Sequence, residues 1–233
     1  MNEPIHFADP DDAAALGVYL ERLLALDKTA AVRFVGIGRA AAAYCAPPLH
    51  GSASRGVTAL AVRVVGLADD PAPFDRTVAA GRLLDAIRPG DDDPAGLLLP
   101  DPLTGGPSWA GLLPPRTGWR PVGELPLRSL AEAVAQGNAD FRFGALGRDR
   151  AALDTLAEEI WTRELPHGLR WRAAHAAAAM GFLGPRPEAA ADSARLAAHN
   201  RWLRLDTPYG TVLERSVLEH GVVTEVRPRA SSG

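Results

Sequence analysis

A chain of 233 residues is long enough for one large domain or two small ones, and 47% hydrophobic with 23% charged residues describes an ordinary folded protein. A formal net charge of −3 excludes a global basic field for nucleic acid or anionic membrane. With Cys45 as the only cysteine, no disulfide can form within the chain, and any zinc site would rest on histidine and carboxylate.

The opening MNEPIHFADPDD has neither a basic n-region nor an apolar h-region, so it does not read as a signal peptide. The most apolar stretch, Ala173–Leu183, falls well short of the roughly 20 residues a membrane span needs. A cytoplasmic protein without membrane contact is the expectation. Lys28 is the only lysine among the 25 basic residues, an arginine bias that points to a GC-rich bacterial genome.

Asp9-Pro10-Asp11-Asp12 reads as a helix start: a capping aspartate, a proline at the first helical position, and acids at the positive end of the dipole. Leu16, Leu20, Leu23 and Leu24 follow at helical spacing, predicting a helix over about 11–26. Capping also explains the aspartates without a metal. Two apolar segments come next, 31–45 and 57–67, separated by the turn-rich PPLHGSASRG.

The first segment contains VGIGRAA, where Gly36, Gly38 and Ala41 match the letters of a dinucleotide-binding loop and AVRFV supplies a strand. Three features oppose that chemistry. Pro47-Pro48 leaves too few residues for a crossover helix, Asp69 and Asp70 lie too far on to meet a ribose, and a helix precedes the strand. The preferred reading is one long bent strand through Ala31–Cys45, its glycines marking a bulge or a close approach by another backbone. A nucleotide-dependent enzyme using Gly36–Ala41 stands as an alternative. Cys45 itself reads as a small buried hydrophobe.

FDRTVAAGRLLDAI (74–87) reads as a short strand running into an amphipathic helix, stopped by Arg88-Pro89-Gly90 and followed by the solvated acids Asp91–Asp93. With this stretch, the N-terminal part runs helix, strand, strand, short strand and helix over about 80 residues, and in that order it resembles one lobe of a bacterial sliding-clamp subunit. The resemblance implies a fold and assigns no role in DNA threading.

Residues 89–126 are too dense in proline for a regular helix or a central strand, yet they carry GLLLPDPL, Trp109 and Trp119. An ordered, extended strap packed on the rest of the protein is expected. Trp109, Pro114, Pro115, Arg116 and Trp119 combine a stiff backbone with the residue types of interface hot spots, and they are the candidate partner-binding residues. Helices are predicted over 125–135, 151–163 and 169–182. Then GPRPEAAAD forms a loop and ARLAAHNRWLRLDTPYGTVLERS a small antiparallel hairpin or meander. The tail RPRASSG reads as disordered, and no internal repeat is evident.

Between Arg163 and Arg204 seven arginines face Glu164, Glu188 and Asp192, a local surplus of +4. Arg170, Arg172, Arg201, Trp202 and Arg204 alternate cation and aromatic as nucleic-acid surfaces do, which makes them an alternative binding set. The same alternation also fits half-buried strands, and Trp161 and Trp171 read as core. The six histidines show no metal-ligand spacing, and Glu158-Glu159 reads as surface charge. PSWAGLLPPRTGW (107–119), EEIWTRELPHGLRWRAAHAAAAMGFLG (158–184) and RWLRLDTPYGTV (201–212) together resemble actinobacterial proteins without assigned activity, which implies origin and one integral fold but transfers no site.

The expected fold is α+β. An antiparallel-rich sheet region occupies 1–88, the strap 89–126, a helical region ending in a hairpin 127–227, and the tail 228–233. No catalytic residue, cofactor or metal is assigned. With no nucleophile–base pair and no complete phosphate loop, the sequence reads as a non-catalytic interaction or regulatory protein whose partner is another protein.

Overall fold

The computed structural model describes residues 4–49, 58–87, 96–185 and 192–215. Residues 50–56 of the linker, Arg88–Asp93, most of the GPRPEAAAD loop and the C-terminal tail lie outside the described residues.

Helix α1 (Pro10–Leu26) starts as its sequence dictates: the Asp9 carboxylate accepts the Asp11 N–H at 2.8 Å, and Pro10 occupies the first turn. Its buried stripe of Leu16, Tyr19, Leu20 and Leu23 lies on a sheet. Strands β1 (Ala31–Ile37), β2 (Ala40–Cys45) and β3 (Thr58–Gly66) form an antiparallel meander, and β4 (Phe74–Ala79) pairs with the outer side of β1 before α2 (Ala80–Ile87).

The second part follows the same plan. Strand β5 (Arg120–Pro126) leads into α3 (Leu127–Gly144), then α4 (Arg150–Trp161) and α5 (Trp171–Ala179). The meander β6 (Ser193–His199), β7 (Trp202–Thr207) and β8 (Gly210–Arg215) closes the fold, with β5 outside β6. Strands β3 and β8 pair antiparallel, so the two meanders join into one eight-stranded sheet in the order β4-β1-β2-β3-β8-β7-β6-β5. The mixed α+β class with an antiparallel sheet is as expected.

Several details differ from expectation. Ala31–Cys45 is not one bent strand but the β1–β2 hairpin: Ile37 pairs with Ala40, leaving the two-residue turn Gly38-Arg39. Gly38 sits at φ +58°, which suits the first position of a tight hairpin turn. The close approach at Gly36 comes from a side chain rather than a backbone, since a Cβ there would lie 2.1 Å from the Phe74 ring.

The two halves of the sheet share an arrangement of meander plus outer strand, although their chain order differs, β4 following its meander and β5 preceding its own. The end of the strap region is itself a strand, β5, and Pro121 and Pro126 are tolerated there because β5 is at the sheet edge. The third predicted helix runs on to Gly144, through Gly137, where a Cβ would meet the Trp161 ring at 2.7 Å.

Alternation divides the sheet into two faces. The inner face, with Val32, Phe34, Ala43, Ala61, Leu196, Leu205 and Val212, builds the main core beneath α1, α2, α3 and α5. The outer face carries a second core of Leu60, Val62, Trp202 and Leu213. Helix α4 packs on α3 and α5 through Ala157, Ile160 and Trp161. Among the described residues no helix is long and apolar enough to cross a membrane.

Candidate functional site

The outer core has no helix above it, and the strap covers it instead. Ala42, Tyr44, Trp109, Leu113 and Trp119 pack on Leu60, Val62, Trp202 and Leu213, straddling the line where β3 meets β8. The strap is fastened at several points between Leu103 and Trp119. Leu103 N–H donates to Thr77 C=O at 2.8 Å, Trp109 stands in a 3-10 turn over Ser108–Gly111, and the Trp119 indole N–H donates to Pro115 C=O at 2.9 Å.

Arg33 is the main fastener. Its Nε and Nη2 grip both oxygens of Asp75, at 2.7 and 2.6 Å, while Nη1 donates to the Ala110 carbonyl. The bidentate bond from Arg33 holds the Asp75 carboxyl below its usual range.

Two sets of residues far apart in sequence therefore meet. The Arg204 guanidinium lies 5.8 Å from the centre of the Trp119 ring, and the His199 ring 5.9 Å from it. Arg204 Nε also donates to Asp206 at 2.8 Å, and Asp206 accepts the Thr211 hydroxyl at 2.6 Å. Tyr44 sits among these cations: burial raises its phenol pKa, while the charges of Arg116, Arg204 and Arg33 pull it back. Trp109, Pro114, Pro115 and Trp119 are half-buried, and Arg116 is exposed with no ion pair among the described residues. The face can therefore present the exposed Arg116 guanidinium on a segment that also carries indole and proline surface.

The arginines of the nucleic-acid alternative do not form one surface. Arg204 belongs to the strap face and Arg201 stands exposed at the β6–β7 turn. Trp202 is part of the outer core. Arg172 is 1% exposed inside the helical layer, where its Nη2 donates to Glu158 at 2.7 Å. Arg170 flanks Glu214, whose carboxylate accepts the Arg170 backbone N–H at 3.2 Å. Buried arginines cannot reach a phosphate backbone, so Arg172 drops out of that set.

Glu158 corrects the surface-charge reading of Glu158-Glu159, because it is the counterion of a buried cation. Glu214 was not foreseen at all. It is 3% exposed, and burial raises its pKa against the opposing effects of the Arg170 N–H and of the Arg170 and Arg172 charges. Its only sequence signal was an acid at an inner-face position of a strand.

The Gly36–Ala41 loop does not form a phosphate cradle. No helix starts at Gly38; the chain turns directly into β2, so no helix N-terminus faces the loop. Cys45 is fully buried, and burial pushes its thiol up to about 12. Among the described residues no three histidine, cysteine, aspartate or glutamate side chains converge as a metal-binding group.

Residues 1–111 match the family model described as Domain of unknown function (DUF8010). Residues 114–219 match the one described as Domain of unknown function (DUF8185). The junction between the two matches falls in the strap. No curated protein matches the chain.

Among solved structures, the chain is similar to the DNA polymerase III subunit beta from Pseudomonas aeruginosa, with a TM-score of 0.47 and 14% identity over 94% of this chain and 67% of that one. It is similar also to the DNA polymerase sliding clamp from Caulobacter crescentus, with a TM-score of 0.43 and 12% identity over 94% of this chain and 68% of that one. The chain thus spans about two thirds of the length of these clamps.

Proposed function

We propose that this is a non-catalytic interaction protein that receives a protein partner on the strap face, through Trp109, Pro114, Pro115, Arg116 and Trp119. The observation that carries the reading is Arg116: exposed, without an ion-pair partner among the described residues, and carried on the proline-rich segment between two indoles that pack on the outer core. An irregular segment fastened to a rigid sheet is the usual place for a binding surface, because order costs little on association. The complementary partner surface carries a carboxylate next to apolar side chains. A cytoplasmic setting in an actinobacterial cell is part of the same proposal, supported by the arginine-rich composition.

The test compares proteins recovered from a lysate by the wild-type chain, Arg116→Ala and Arg116→Glu, each first checked for an unchanged melting temperature. A specific partner retained by the wild type, weakened by Arg116→Ala and lost with Arg116→Glu is the expected result. Identical recovery with all three chains refutes a strap interface. Trp109→Ala and Trp119→Ala serve only alongside stability measurements, because both indoles also cover the outer core.

A further inference from the structure

On the helix-bearing side of the sheet, away from the strap, a cavity of about 290 Å³ opens where α1, β3, the turn after α5 and the β7–β8 turn meet. Its wall is apolar along Val18, Tyr19, Met180 and Phe182, and among the described residues Arg22 and Arg63 are its only charged lining residues. No acid lines it, and neither arginine has an ion pair among the described residues. Arg33, Arg163, Arg172 and Arg204, by contrast, are paired with carboxylates.

Each element is placed by the fold. Tyr19 is fixed at the floor, its buried hydroxyl directed to the carbonyls of Ala43 and Ala61 at 3.1 and 3.0 Å, and its ring lies parallel to Phe182 with centroids 6.1 Å apart. Arg63 reaches from the inner face of β3 to the rim, where Nη1 donates to the Tyr209 carbonyl at 2.5 Å. Its Nε is buried and has no acceptor among the described residues. Arg22 lies across Gly181, whose φ of +76° and missing side chain let the guanidinium approach; a Cβ there would be 2.7 Å from Arg22 Cζ.

We infer that this cavity binds a small amphipathic monocarboxylate, its carboxylate between Arg22 and Arg63 and its aliphatic or aromatic body against Tyr19, Phe182 and Val18. The size lies at the lower limit of ligand pockets, which run from about 300 Å³ upward. Two guanidinia suit the two oxygens of a carboxylate, which each can grip through parallel N–H bonds. The apolar wall demands a carbon body, so a bare anion leaves most of the site unfilled. A neutral molecule of the same shape leaves Arg63 Nε without its acceptor. The inference is independent of the strap interface, since the two sites share no residue.

The experiment is calorimetric titration of the full chain with octanoate, 4-phenylbutyrate, octanamide and inorganic phosphate. Saturable one-to-one binding of at least one carboxylate at millimolar concentration or below is expected. Octanamide should bind at least about tenfold more weakly, and phosphate should not compete. Arg22→Met, which changes an exposed side chain, should weaken the carboxylate at least about tenfold without moving the melting temperature. Arg63→Met should do the same, while Val18→Trp should block binding by filling the slot. The inference is overturned if neither carboxylate saturates, if octanamide binds equally well, if phosphate displaces the carboxylate, or if Arg22→Met binds like the wild type while folded.

Discussion

Glu158→Gln tests the energetic logic of the helical layer most sharply. Arg172 is 1% exposed, and its only hydrogen bond among the described residues is from Nη2 to Glu158; Nε and Nη1 are buried and have no acceptor there. Removing one member of a buried pair costs about 3–5 kcal/mol, because the other charge is left in a medium that solvates it poorly. Two facts lower that figure here. Glu158 is 14% exposed, so water already reaches the pair, and the buried Glu214 carboxylate acts on the Arg172 charge. The expected loss for Glu158→Gln is therefore about 2–3 kcal/mol, or about 4–12 °C in melting temperature for a chain of this length.

Arg172→Met removes the buried charge itself and fills its path with a side chain of similar length. Glu158 can then turn to water, so the loss is smaller, about 1 kcal/mol. The double variant contains no charge at either position and should lie within about 1 kcal/mol of the wild type, giving a coupling of about 2–3 kcal/mol in the cycle. Urea unfolding at pH 7 measures all four chains, with midpoints compared at a common m-value. If Arg172→Met costs as much as Glu158→Gln, the desolvation argument is wrong, and if the double variant shows the sum of the two losses, the two side chains are not coupled at all.

Other perturbations probe the rest of the fold. Gly36→Ala should destabilise by about 1–3 kcal/mol because its Cβ meets the Phe74 ring, and Phe74→Leu in the same chain should recover much of that loss; a Gly36→Ala chain as stable as the wild type refutes the contact. Gly38→Ala should cost only about 1 kcal/mol, because its penalty is the φ of +58° with open space around the new methyl. Glu214 has a folded pKa above its unfolded value, so its contribution is fully present below the ordinary carboxylate range and is lost as pH rises through the folded value. Wild-type stability should accordingly fall relative to Glu214→Gln as pH rises above the ordinary carboxylate range, and parallel pH profiles would exclude burial as the dominant influence on this carboxyl. Cys45, buried and with its thiol pushed up to about 12, should react with a disulfide reagent only as fast as the protein opens, so that labelling accelerates in step with unfolding as urea is added.

What was legible in the sequence follows from where each segment lies between the two faces of the sheet. Helix α1 could be read because Asp9-Pro10 sets its start and one face alone is buried, which produces the leucine spacing. Strand β2 could not be separated from β1 because both of its faces are covered: Ala41, Ala43 and Cys45 point to the helices while Ala42 and Tyr44 lie under the strap. Alternation disappears when neither face meets water, and Gly38-Arg39 carries only one of the two turn residues that would have marked the hairpin. The likeness of the two halves of the sheet was hidden for the same reason, since the corresponding middle strands, AAAAYC in β2 and WLRLDT in β7, fill unlike surroundings.

The strap's order was legible because prolines alternating with leucine and tryptophan fit neither a solvated linker nor a helix. Its position was not, since nothing local records that Trp109 and Trp119 end on Trp202 and beside Arg204. The same limit hid the pairing of Arg172 with Glu158, which depends on α4 and α5 packing side by side. Here a segment's own partners in the helix or strand could be inferred from spacing, while the contacts that make a site required the sheet to close first. The outer core shows why. Leu60 and Val62 come from one meander and Trp202 and Leu213 from the other, so the surface that seats the strap exists only once β3 and β8 have paired.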